Sequence, residues 1–176
     1  RCKEEEPVST CKSAQSDFNC VSFSLDEGFI QGSTDKNNVW VFDIRSPQVP
    51  YHVLQHSIPP GYRMSDFSRD RAGISHFSQG VYMSVWSRSG MLMTGGEDHV
   101  IRLWQIKSGD PLVSEIRDSH QSAVNTVAIS ADETVFASGC DAHRVVLHAI
   151  SSEERVDGYS PSAVRDPFNG STGPLI

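Results

Sequence analysis

Residues able to do chemistry are thinly scattered along this chain, and their spacing decides what they can do. His120, Ser138 and Asp141 follow in an order that suggests a hydrolytic triad, with a nucleophile, a base and a group to orient the base. Such a nucleophile also needs donors for an oxyanion, and no nucleophile-elbow motif surrounds Ser138. His52 and His56 stand four residues apart, a spacing that shares one face of a helix. The segment around them reads as a strand and a turn, where that spacing separates them by about 13 Å at roughly 3.3 Å per residue. Cys2, Cys11, Cys20 and Cys140 form no CxxC pair, which argues against zinc and for reduced thiols inside a cell. No catalytic residue, no metal and no cofactor is therefore expected. The remaining candidates are surface groups suited to a protein partner: Arg45, then Tyr62, Arg63, Phe67, Arg69 and Arg71 in one polar stretch, then His99, His143 and Arg144 in turns.

The elements that position these groups are short strands. Val81–Trp86 is rich in β-branched and aromatic residues, and Ser87-Arg88-Ser89-Gly90 is a turn. Met91–Thr94 is a second apolar run, Gly95–His99 a second turn, and Val100–Trp104 a third run. Three such runs joined by tight turns make an antiparallel meander. A lone sheet of this size cannot bury both faces, so it requires stacked neighbours. The unit recurs over Asp17–Ile44 and Ala123–Ile150, with Phe42, Trp104 and His148 at matching places. The period is near 43 residues once an insertion between the first two copies is allowed, and roughly 40–45 residues is the length of a propeller blade.

Composition sets further bounds. The chain has 176 residues and is 38% hydrophobic, enough for a β core, and no run approaches the roughly 20 apolar residues of a membrane span. A formal net charge of −7 argues against direct binding of nucleic acid, which needs a basic face. The chain begins at Arg1, and we read it as part of a longer protein.

The turns Gly32-Ser33-Thr34-Asp35, Gly95-Gly96-Glu97-Asp98 and Gly139-Cys140-Asp141, with the ending Ile101-Arg102-Leu103-Trp104-Gln105, resemble the WD40-repeat family. The resemblance implies an all-β fold of about three propeller blades, each a four-stranded antiparallel sheet, forming a partial propeller or part of a larger one. The expected divisions are residues 1–17, an N-terminal segment whose residues 7–13 form an outer edge strand of a preceding blade; 18–56, the first blade; 57–79, an insertion loop; 80–117, the second blade; 118–159, the third, with an outer strand at Arg155–Tyr159; and 160–176, a tail.

The family also implies a structural hydrogen-bond chain, in which a His before the inner strand, a Ser or Thr, an Asp and a Trp link up. Thr94, Asp98 and Trp104 supply part of it in the second blade, with His76 one residue out of register. His120, Ser138 and Asp141 supply part in the third, where Ala142 takes the usual Asp place. The first blade has Asp35 and Phe42 but no His. Each copy thus looks broken, and modest intrinsic stability is expected.

Function follows from the resemblance: a non-enzymatic protein-interaction scaffold in a multi-subunit complex, with no membrane role. Further blades would come from the rest of a longer chain, another copy or a partner. The order of repeats resembles the WD-repeat subunit of TFIID and of SAGA-type coactivators, which implies a nuclear assembly platform. Phe42-Asp43-Ile44-Arg45 is instead similar to the WDxR endings of ubiquitin-ligase substrate receptors, where Arg45 would contact an adaptor.

Overall fold

The computed structural model describes residues 9–13, 16–56 and 80–150. The insertion at 57–79 with Tyr62, Arg63, Phe67, Arg69 and Arg71, the strand expected at Arg155–Tyr159, and the tail lie outside the described residues. Every regular element described is a strand: β1 Phe18–Phe23, β2 Phe29–Thr34, β3 Asn38–Asp43, β4 His52–Gln55, β5 Val81–Trp86, β6 Met91–Gly96, β7 Ile101–Gln105, β8 Leu112–Ile116, β9 Val124–Ile129, β10 Val135–Cys140 and β11 Arg144–Ala149. They form three antiparallel sheets in simple meander order: β1 to β4, β5 to β8, and β9 to β11.

The register of the three sheets coincides. Phe42 pairs with Ile30, Trp104 with Leu92 and His148 with Phe136, so the three residues matched in the sequence hold one place in the repeat. The turns repeat too. Ser24, Ser87 and Ser130 each accept, at the backbone oxygen, the N–H of the residue three further on. Those residues, Glu27, Gly90 and Glu133, all have positive φ, as do Asn37, His99 and His143 in the second turn. Left-handed backbone is strained for side chains other than Gly and Asn. Its recurrence at Glu and His shows that hairpin geometry, not local preference, fixes these positions.

The middle sheet is covered on both faces, which explains why β6 is buried at every residue. One face sets Val81, Trp86, Leu92, Trp104 and Ile106 against Phe29, Val39, Val41 and Leu54 of the first sheet. The other sets Met91, Met93, Ile101 and Leu103 against Val124, Val127, Phe136 and Ile150 of the third. Gly95 marks the closeness of that second contact, because a Cβ there would come within 2.7 Å of Val124. Side-chain bonds tie the stack: Asn19 Nδ2 donates to the Val81 carbonyl at 3.1 Å, His52 Nε2 meets the Ile106 carbonyl at 3.0 Å, and the Ser89 N–H donates to Glu133 at 2.8 Å.

The edge strand expected at residues 7–13 falls partly outside the described residues. Residues 9–13 carry no strand. An edge strand needs a sheet edge to pair with, and this segment instead lies over the flat face of the first sheet. There Cys11 lines a hollow of about 130 Å³ with Phe18, Val21, Ile30, Gly32 and Phe42.

Candidate functional site

The densest polar cluster among the described residues lies between the first and middle sheets. Thr94 on β6 and Arg102 on β7 are register partners, and Arg102 is in turn opposite Glu115 on β8. Their side chains therefore form a row across one face. Trp104, two residues beyond Arg102, falls on the same face, as period-two alternation requires. Asp98 sits in the turn between β6 and β7 and fixes that turn by accepting the Val100 N–H at 3.2 Å.

His56, which directly follows β4 of the first sheet, reaches into this row. Its Nε2 lies 2.6 Å from Thr94 Oγ1, and Trp104 Nε1 donates to the same oxygen at 2.9 Å. Its Nδ1 lies 2.7 Å from Arg102 Nη1 and 3.3 Å from the Asp98 carboxylate. A guanidinium can only donate, so Nδ1 accepts and the ring proton sits on Nε2, donated to Thr94. Arg102 also pairs with Asp98 and, at 2.7 Å, with Glu115, whose other oxygen binds Arg117.

The electrostatics match this geometry. Burial pushes Asp98 up, but its neighbours, with the Arg102 guanidinium as the cation beside it, bring the carboxyl down to about 2. Burial lowers the His56 pKa against the pull of Asp98, so the ring is neutral. Burial likewise raises Glu115, while Arg102 and Arg117 bring it below the usual value. The site thus holds one neutral imidazole and a chain of alternating charges, buried at Asp98 and Arg102 and half-buried at Glu115 and Arg117. Every contact faces another protein group, so the cluster joins two sheets instead of opening to a ligand.

The hydrogen-bond chain in the middle blade is therefore whole, and the reading that every copy is broken is corrected. His56 takes the place that the sequence reading sought near His76. The histidine precedes the insertion instead of following it, so counting back from β5 misses it. Counting forward finds it: His56 follows Phe42 by nearly the interval at which His120 follows Trp104. Arg102 and Glu115 were also missed, since charged residues on strands read as solvated.

The third sheet has a shorter chain. His120 Nε2 meets Ser138 Oγ at 2.7 Å, but Asp141 binds Asn125 instead, and Nδ1 of His120 is buried without a partner. His148, at the Trp place, stacks on Phe136 with ring centroids 4.6 Å apart, and its Nε2 is also unpartnered. His120, Ser138 and Asp141 are thus not assembled as a triad. In the first sheet Gly32 stands at the Thr94 place, opposite Trp40, which donates to Asn38 at 2.8 Å.

The surface candidates are spread over the stack. Arg45 is exposed and folds back on Asp43, with Nη2 at 2.6 Å and Nε at 2.9 Å. That hydrogen bond holds Asp43 down at about 2. His99 and His143 occupy equivalent turns, His99 partly covered, and Arg144 is exposed at the start of β11. Cys11, Cys20 and Cys140 are free thiols, with Cys20 Sγ 3.8 Å from Met83 Sδ. No described helix is long and apolar enough to cross a membrane.

Comparison with known proteins agrees with the geometry. The family "WD domain, G-beta repeat" matches residues 72–105 and 112–147. Rik1-associated factor 1 of Schizosaccharomyces pombe is 24% identical over 140 residues, which cover 79% of this chain and 21% of that protein. The chain thus spans about a fifth of the curated relative's length. Among solved structures, the Dos1 propeller superposes with a TM-score of 0.61 at 20% identity, over 79% of this chain and 32% of that one. A chain of a mitotic checkpoint complex gives 0.60 at 16% identity, over 78% and 35%. The chain thus carries matches to the WD40 repeat over residues 72–105 and 112–147, and its three sheets share the fold of these structures.

Proposed function

We propose that this chain is a non-enzymatic scaffold that holds other proteins in a multi-subunit assembly. The observation that carries the reading is the rigid repetition of its second turns. Asn37, His99 and His143 sit at one repeat position in three stacked sheets with the same left-handed backbone. Such a stack presents one set of loops at fixed spacing, and rigid elements hold a binding surface better than isolated loops do. The polar clusters that could have done chemistry are spent on joining strands. A relative named as an associated factor supports membership of an assembly, as does a neighbour solved within a complex.

Two settings fit this role. The coactivator platform, in the nucleus, rests on the order of repeats alone. The ubiquitin-ligase receptor has a further support in the exposure of Arg45 beside Asp43. Affinity capture with the full-length protein, followed by Arg45→Ala and by a paired His143→Ala/Arg144→Ala variant, tests both. Loss of a ligase adaptor with Arg45→Ala supports the receptor. Histone-fold subunits retained by Arg45→Ala support the platform. A full-length protein that retains no stoichiometric partner contradicts the scaffold.

A further inference from the structure

The seam between the first and middle sheets changes character along its length. Near β4 and β8 it is held by the row of His56, Thr94 and Arg102. Near β1 and β5 it carries four polar atoms with no hydrogen-bond partner among the described residues: Gln31 Oε1, Ser33 Oγ, Ser84 Oγ and Trp86 Nε1. Their residues are 0%, 0%, 2% and 7% exposed. Protein interiors rarely leave even one such atom unpaired, and a group of them in one seam calls for a shared partner.

Register places these atoms on facing surfaces. Gln31 and Ser33 on β2 are opposite Val41 and Val39, which point at the middle sheet, and register partners share a face. Ser84 and Trp86 on β5 are opposite Thr94 and Leu92, which point back at the first sheet. The levels correspond too. Trp86 stacks on Phe29 with ring centroids 6.4 Å apart, and the next inward-facing residues on the two strands are Ser84 and Gln31. Beyond them Cys20, the register partner of Ser33, comes within 4.0 Å of the Ser84 carbonyl.

Chemistry selects the occupant. The indole N–H only donates and Gln31 Oε1 only accepts, while the two hydroxyls do both. A cation suits the oxygens but not the indole hydrogen, and an anion suits the hydrogens but not the amide oxygen. Water serves all of them, and a buried water typically makes about three hydrogen bonds to groups of this kind. The far end of the Gln31 amide is already anchored, with Nε2 donating to Ser22 at 2.8 Å. Thr94 adds a demand: its oxygen takes hydrogens from Trp104 and His56, so its own hydroxyl hydrogen needs an acceptor on the Ser84 side.

We propose that the inner part of this seam is a binding site for ordered water, which Gln31 and Ser84 hold from opposite sheets and which Trp86 and Ser33 cap at either end. The first two sheets are then joined by a charged lock near their outer strands and a hydrated contact near their inner ones.

A crystal structure of the full-length protein that shows individual waters is the test. Expected is water within about 3.2 Å of both Gln31 Oε1 and Ser84 Oγ, with a further contact at Trp86 Nε1. Side chains that pair directly across the seam, or ordered side chains with no water between them, would overturn the proposal. In solution, rotating-frame nuclear magnetic resonance should show a cross-peak from water to the Trp86 indole hydrogen, with the sign of dipolar contact and not of hydrogen exchange. Its absence would count against the site. Gln31→Met combined with Ser84→Ala should abolish the peak, and a peak that persists in the folded double variant would equally sink the assignment. The crystal result decides alone where that variant does not fold.

Discussion

The middle and third sheets use one repeat position in two ways. At the middle sheet, His56, Thr94, Trp104, Asp98 and Arg102 form a closed set in which the indole, the imidazole and the carboxylate all meet partners. At the third, His120 keeps its serine but loses the aspartate, and His148 replaces the indole donor, leaving two buried ring nitrogens orphaned. Buried polar groups stabilise when paired and cost free energy when not. Among the described residues, the middle sheet is also packed on both faces and the third on one. Cohesion is therefore expected to concentrate at the middle sheet and its contact with the first.

The comparison is broken most severely by removing the charge at its centre. Arg102→Met leaves Asp98 buried without a cation, while Glu115 keeps only Arg117, and should cost about 3–5 kcal/mol in denaturant unfolding. A smaller contrast separates the two histidines. His56→Ala strips partners from Thr94 and Arg102 and should cost about 2–3 kcal/mol, whereas His120→Ala removes one bond to Ser138 and should cost about 1 kcal/mol. Equal losses would show that the two chains are energetically alike. The third sheet can also be repaired. Ala142 holds the place of Asp98, so Ala142→Asp offers an acceptor to the orphaned Nδ1 of His120 and should gain about 1 kcal/mol.

Acid should sharpen the difference further, with the smallest effect near neutrality. Burial lowers the pKa of both His120 and His148, and His148, Arg144 and His99 push His120 the same way. The unfolded chain then binds more protons than the folded one. The stability that neutral rings contribute is present above their ordinary pKa of 6.5 and is lost as pH falls through it toward the lower folded values. His56 is also lowered by burial, but Asp98 stands beside it to meet a proton. Asp98 itself contributes above its ordinary 3.8, and that contribution is lost only as pH falls toward about 2. Hydrogen exchange at pH 7 and at pH 5 should therefore show β10 and β11 losing protection before β6 and β7.

Much of this fold was legible in the residues. β-branched and aromatic runs marked β5 and β7, the Gly, Ser and Asp clusters marked the turns, and Phe42, Trp104 and His148 gave a register that the pairing reproduces. The polar cluster was half legible. Thr94, Asp98 and Trp104 lie within eleven residues, so local spacing exposed them. His56 belongs to the same cluster but is separated from β5 by the insertion, and only spatial stacking brings it back. Arg102 and Glu115 look like ordinary surface charges on strands, because sequence does not show which face a neighbouring sheet will cover.

Exchange of the indole N–H groups, followed by nuclear magnetic resonance, tests most directly whether the middle sheet is the locked centre. The indole of Trp104, held by Thr94 behind His56, should exchange far more slowly than that of the half-buried Trp40, and His56→Ala should speed it. An indole at Trp104 that exchanges as fast as that of Trp40, or that ignores the loss of His56, would contradict the account.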